Sequence, residues 1–108
     1  MRINHDFHIH TNLSLCAAET VTAEHYINKA KELGLNKIGF TNHMWDENIQ
    51  PFLNRSYKIQ TVPYNLELRD ELKTLDKQGI KVYFGAEAEF HPIYGVALTE
   101  ENAEKFDY

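Results

Sequence analysis

The sequence predicts an α/β domain with parallel strands, and three observations carry that prediction. Short apolar stretches with strand character begin at Ile3, Asn36 and Ile80. Each is followed by a loop and then by a helical or helix-capping pattern, the rhythm of a βαβα chain. Imidazoles and carboxylates gather at the C-terminal ends of these stretches, the ends that face the functional loops in parallel folds. A length of 108 residues with 43% hydrophobic and 25% charged side chains suits one ordinary globular domain at most.

The first strand is read from Ile3 to His10. Phe7 and Ile9 share one parity while Asp6, His8 and His10 share the other, so an extended backbone sends the apolar pair to one face and the polar groups to the opposite one. After a loop from Thr11 to Val21, Thr22 caps a helix whose stripe is Tyr26, Ile27, Ala30 and Leu33, and Gly34 supplies its left-handed stop. His25 stands where a glutamate would complete a capping box. The second strand runs from Asn36 to Thr41, with Ile38 and Phe40 on one side and Gly39, Thr41 and then His43 on the other. Met44 to Val62 is long for a strand-to-helix connection, and such excess more often covers a site than merely joins elements.

Pro63 opens a second helix with Tyr64, Leu68, Leu72 and Leu75 at near-helical spacing, and Gly79 is its expected stop. From Ile80 to Glu89 a third strand places Val82, Phe84, Ala86 and Ala88 on one face and Tyr83, Gly85, Glu87, Glu89 and then His91 on the other. Thr99 caps a short helix, Glu100 to Lys105, whose opening glutamates suit the positive end of its dipole, and Phe106-Asp107-Tyr108 begins a fourth strand.

Eleven basic against sixteen acidic side chains give a formal charge of -5, so no global basic field exists to hold a nucleic acid or an anionic membrane. Neither is an expected partner, and a phosphorylated substrate needs a local cation. One cysteine excludes an internal disulfide, the polar N-terminal residues do not resemble a signal peptide, and no apolar run approaches the roughly 18 residues that cross a bilayer. A cytoplasmic setting is the expectation.

The six histidines are the unusual feature of the composition. His8, His10, His43 and Glu87 all fall at strand ends, where a parallel sheet gathers them. Imidazole nitrogen and carboxylate oxygen form a donor set that Zn, Mn and Fe accept, and His-x-His on a strand places both rings on one face about 7 Å apart at the backbone. A His-x-His pair alone also fits solvated or core-bonded rings; the shared parity and strand-end placement of all these residues favour a metal.

Asp6-Phe7-His8-Ile9-His10-Thr11 resembles the opening Asp-x-His-x-His-Thr motif of the PHP (polymerase and histidinol phosphatase) superfamily. Thr41-Asn42-His43 resembles its second motif and Gly85-Ala86-Glu87 its glutamate motif, in the same order and over essentially the whole chain. The likeness is greatest to the histidinol phosphatase-like branch, whose glutamate motif continues with a second acid, as Glu89 does here. The resemblance implies part of a (β/α)7 TIM-like barrel, about three strand-helix units, holding two or three divalent ions. It implies that His8, His10 and Glu87 share one ion, that Glu87 bridges to a second, and that His43 belongs to a neighbouring position. The implied reaction is hydrolysis of a small phosphate monoester, such as histidinol phosphate, by a metal-activated water.

Many members of the superfamily carry a further histidine about six residues beyond the second histidine of the opening motif, where this chain has Cys16. A thiolate is a competent zinc ligand, although a lone buried cysteine is more often an inert small hydrophobe. Asp6 is expected either to orient a histidine from behind or to act as a structural carboxylate. Arg55 and Lys58 are candidate phosphate-steering cations against the commoner reading of solvated loop charges. Trp45 either shields the site or anchors the loop. His91 is expected to pack in a loop, and His25 and His5 to lie outside the site.

A closed barrel of this type takes about 250 residues, so these units are expected to be part of a longer chain. The remainder of the barrel, or another chain, would cover the open sheet. The superfamily's later motifs, with further histidines and a closing Asp-x-His, are not among these residues. A non-catalytic metal-binding or regulatory module and a polymerase-associated domain are the alternative functions.

Overall fold

The computed structural model describes residues 3–52 and 55–108; residues 53 and 54 of the long connection, and residues 1 and 2, lie outside the described part. Strands β1 (His5–Ile9), β2 (Lys37–Met44) and β3 (Lys81–Ala88) form a parallel sheet in that order. Helix α1 (Ala23–Leu33) joins β1 to β2, and α2 (Val62–Leu72) joins β2 to β3. A two-stranded antiparallel ribbon, β4 (Phe90–His91) and β5 (Gly95–Val96), and a single-turn helix, α3 (Glu100–Ala103), complete the elements. The expected α/β chain with parallel strands is therefore present, and no helix among the described residues is long and apolar enough to cross a membrane.

The terminators of α1 follow the local chemistry. Thr22 Oγ1 accepts the His25 N–H at 3.2 Å, and Gly34 closes the helix at φ +76°. Ala23, Ile27 and Ala30 form the buried stripe, whereas Leu33, the last residue of the helix, is exposed. Helix α2 stops at Lys73, six residues before the expected glycine. Lys77 Nζ donates to the Leu72 and Leu75 carbonyls, satisfying the helix end. Gln78 and Gly79, both at positive φ, instead form the turn into β3.

Alternation in β1 is broken. Asp6 pairs with Ile38 but Ile9 with Phe40, so one strand advances three residues while its neighbour advances two. Ile9 packs into the core against the helices, and Asp6 lines a groove with Ile9, Tyr26 and Ala30 on that same side. Phe7 therefore does not share a face with Ile9. It sits across the sheet, its ring 5.7 Å from Tyr83 and 6.2 Å from Tyr108. Strand β2 is longer than expected and continues through His43 to Met44, so the histidine lies within the ladder.

The main core comprises Ile9, Ala23, Ile27, Ala30, Ile38, Phe40, Leu68, Leu72, Ile80 and Phe84, between the sheet and its two helices. A second cluster of Trp45, Ile49 and Ala97, with Phe52 and Tyr57 against it, fills the space beyond the C-terminal end of β2. Trp45 is an anchor: it is fully buried, stacks on Tyr57 at 4.7 Å and donates from Nε1 to the Ile49 carbonyl. His91 packs beside it, as expected, but within β4 rather than in a loop.

Buried Asp46 ties this second cluster to α3. Its Oδ2 accepts from the Thr99 N–H, the Thr99 hydroxyl and the Asn102 amide, and its Oδ1 from the Asn48 N–H. Burial alone raises its pKa, but these hydrogen bonds to the carboxylate outweigh it and lower the value from 3.8 to about 2.

The segment after α3 approaches β3. Asp107 N–H donates to the Phe84 carbonyl and Ala86 N–H to the Tyr108 carbonyl, a partial pairing on the edge where a fourth strand was expected; no strand forms there. The Tyr108 ring lies over a notch left by Gly39 and Gly85, and its hydroxyl donates to the Phe7 carbonyl at 2.6 Å. A Cβ on Gly39 would sit 1.9 Å from that hydroxyl oxygen.

Two outcomes follow from these contacts. Gly39→Ala destabilises the fold by about 1–3 kcal/mol in denaturant titration, and a Tyr108→Ala background removes that cost; additive effects of the two changes would show that the ring does not occupy the notch. The lowered pKa of Asp46 contributes about 2 kcal/mol that is present above pH 3.8 and lost as pH falls through about 2. Asp46→Asn removes this dependence, so unfolding followed between neutral and strongly acidic pH should show a flatter acid limb than the parent.

Candidate metal centre

In-register pairing of β2 with β3 places His43 directly beside Glu87. From β1, past its register shift, His8 and His10 reach the same position. Glu87 Oε2 has His10 Nε2 at 2.7 Å, His43 Nδ1 at 3.4 Å and His8 Nε2 at 3.5 Å. The His10 ring centroid lies 5.1 Å from that of His8 and 4.5 Å from that of His43. All the strand-end residues singled out from the sequence thus converge on one carboxylate oxygen.

Glu89, noted in the sequence for its parity but not assigned to the site, belongs to the same constellation. Its Oε1 is 2.6 Å from His43 Nδ1. The signal for it was the alternation Glu87, Glu89 on the face that carries the imidazoles. Cys16 is exposed rather than buried, and its Sγ lies 3.4 Å from His10 Nδ1.

Two donor groups result, His8, His10 and Glu87 in one and His10, Cys16 and His43 in the other, with the donor atoms of each within 4.8 Å of one another. As arranged, the imidazoles can donate N–H bonds to the carboxylates; the same nitrogens without the proton are metal donors. Such nitrogen, oxygen and sulfur donors fit a borderline divalent cation.

The loop that carries Cys16 is fixed by a buried polar knot. Asn42 Oδ1 accepts from the Thr11 N–H at 2.7 Å and the Ser14 hydroxyl at 2.9 Å, while its Nδ2 donates to Thr11 Oγ1. Ser14 Oγ in turn accepts the His43 N–H. Leu15 N–H donates to Gln60 Oε1, and the Tyr64 hydroxyl to the Leu13 carbonyl. Thr11, Ser14 and Asn42 are essentially inaccessible to solvent, so these bonds operate away from competing water.

Asp6 acts on the backbone. Its Oδ1 accepts the His8 N–H at 3.0 Å from the helix side of the sheet, so it positions the histidine's main chain and not its ring. The parity that grouped Asp6 with His8 and His10 fails because of the register shift in β1.

Beside the centre lies a cavity of about 280 Å³ lined by Leu15, Cys16, His43, Ser56, Tyr57, Gln60 and Glu89. Burial first, and then the Glu89 carboxylate that accepts its hydrogen bond, push the Tyr57 hydroxyl above its ordinary pKa of 10, so it remains a proton donor. Arg55 and Lys58 flank this wall on a 3-10 turn, Arg55–Lys58. In such a turn residues three apart eclipse, so the two exposed cations share one side while Ser56 and Tyr57 take the cavity side. His25 is exposed on α1, and exposed His5 stacks on Phe7; neither is in the centre.

A family model described as the PHP domain matches residues 6–108. Comparison with curated proteins and with solved structures gave no match. The matched span holds His8, His10, His43 and Glu87, and a domain of this family accounts for hydrolytic, metal-dependent chemistry in general terms. With that match extending from Asp6 to the last residue, the chain belongs to the PHP domain family.

Proposed function

We propose that this chain provides the metal-binding part of a phosphoesterase acting on a small phosphate monoester, of the histidinol phosphate kind, on a sheet that is part of a (β/α)7 barrel. The observation that carries this reading is the approach of His8, His10 and His43 to a single oxygen of Glu87, all within 3.5 Å. His8, His10, His43 and Glu87 would hold the ions, two or three in number, with zinc, manganese and iron as the candidates. When bound, such ions make a water nucleophilic near neutral pH and neutralise charge on phosphoryl oxygens.

The chain's own groups supply positioning. Glu89 accepts a hydrogen bond from His43 Nδ1 and thereby fixes that ring's orientation. Leu15, Tyr57 and Gln60 line a cavity large enough for a small phosphorylated molecule, with the Tyr57 hydroxyl held by Glu89. Arg55 and Lys58, beside that wall, are placed to draw in an anion by long-range attraction more than by contact. Further strands or another chain would cover the inner face of the sheet, where Phe7, Tyr83 and Tyr108 line an apolar hollow. A cytoplasmic location agrees with the exposed thiol.

Elemental analysis and phosphate release from a panel of small phosphomonoesters test the proposal. The parent should purify with a divalent metal, and His8→Ala and Glu87→Ala should each lower its metal content. Glu89→Gln, which weakens the support of His43 together with the Tyr57 hydrogen bond, should weaken metal affinity by about 10–100-fold. Parental metal content in both alanine variants would refute the site; metal without hydrolysis of any ester would favour a non-catalytic module.

A further inference from the structure

We propose that Cys16 is a thiolate ligand, so that His10, Cys16 and His43 form a subsite selective for thiophilic ions beside the carboxylate subsite of His8, His10 and Glu87. This rests on the metal-centre reading above and adds which ion the centre prefers.

The sulfur is close enough to act. Cys16 Sγ is 3.4 Å from His10 Nδ1, and the donors of His10, Cys16 and His43 span no more than 4.8 Å. The thiol is also exposed, which removes the reading of an inert core side chain. Its position is built into the fold: residues 11–16 are tied down by the Asn42, Thr11 and Ser14 knot and by Gln60, and the same Ser14 hydroxyl accepts the His43 N–H. One buried network therefore sets the spacing between the sulfur and two imidazoles. Cys16 and His43 also line the same cavity, so an ion held there borders the space offered to substrate.

His10 presents opposite edges of its ring to the two subsites, Nε2 toward Glu87 and Nδ1 toward Cys16. A neutral imidazole has one lone pair, so His10 can ligate an ion through Nε2 on the Glu87 side or through Nδ1 on the Cys16 side, one tautomer serving each. Imidazoles with a carboxylate already prefer zinc and cobalt over manganese and magnesium, and a soft thiolate in place of an oxygen donor strengthens that preference. The thiolate thereby biases the centre toward the thiophilic ions.

Cobalt(II) added to the metal-free full chain tests this without reference to activity. The parent should show a sulfur-to-cobalt charge-transfer band in the near ultraviolet. Because the chain has one cysteine, bound cobalt should also protect it from alkylation. Cys16→Ser should lose the band and about tenfold or more in cobalt affinity while manganese affinity changes little. His8→Ala should keep the band, and Cys16→His should recover cobalt affinity without it. Cobalt bound by the parent with no such band and no protection would overturn the role of Cys16 and leave the metal centre standing. Failure of the parent to bind cobalt at all would remove both.

Discussion

The parallel register of β2 and β3 is the constraint on which the site depends. It pairs Lys37 with Lys81 and continues without a slip to Met44 and Ala88, so His43 and Glu87 meet because the whole ladder is in step. A shift by one residue would turn every side chain of one strand to the opposite face and separate them. The register is itself enforced from the other face, where Ile38, Phe40 and Phe84 are buried against α1 and α2. Apolar burial on one side of the sheet thus positions polar chemistry on the other.

Crowding imidazoles around one carboxylate has little stabilising value of its own when the groups are partly exposed, as His8 and Glu87 are. The arrangement persists because layers behind it are rigid. Buried Asn42 stitches the loop after β1 to β2, and Asn65 of α2 donates to the His43 carbonyl. Beyond the strand end, the Trp45 cluster and the Asp46 staple hold the segments that carry Tyr57 and Glu89. A network of buried, paired polar groups specifies one arrangement more sharply than apolar packing would, since each broken bond leaves a desolvated group behind.

Much of this was legible in the sequence. Period-two alternation in β3 and the His-x-His of β1 marked His8, His10, His43 and Glu87 as neighbours, and the Thr22 and Gly34 signals bounded α1. The register shift in β1 was not legible, because no residue in Asp6 to Ile9 signals it; it depends on how β1 docks against β2, and it moved Phe7 and Asp6 to the faces opposite those expected. The end of α2 was misplaced because Gly79 serves the turn into β3 instead, while Leu75 continues to pack on the core after the helix has stopped. The Asn42 knot joins residues about thirty positions apart and has no local pattern. Cys16 illustrates the same limit: its residue type was visible, but whether it lay in the core or at the centre depended on how that knot folds the loop.

The middle and the C-terminal end of the sheet's inner face have different architectures. Near the middle of the strands, Tyr108 rests on Gly39 and Gly85 and reaches Phe7, contacts made by apolar or weakly polar groups over a glycine notch. Burial and the charges of Asp6 and Asp107 push its hydroxyl up to about 12, so it remains a donor there at any ordinary pH. At the C-terminal end, the donor groups are fixed by the β2–β3 ladder and by buried polar bonds that do not involve Tyr108. The geometry of these donor groups is therefore set by the three strands and their loops.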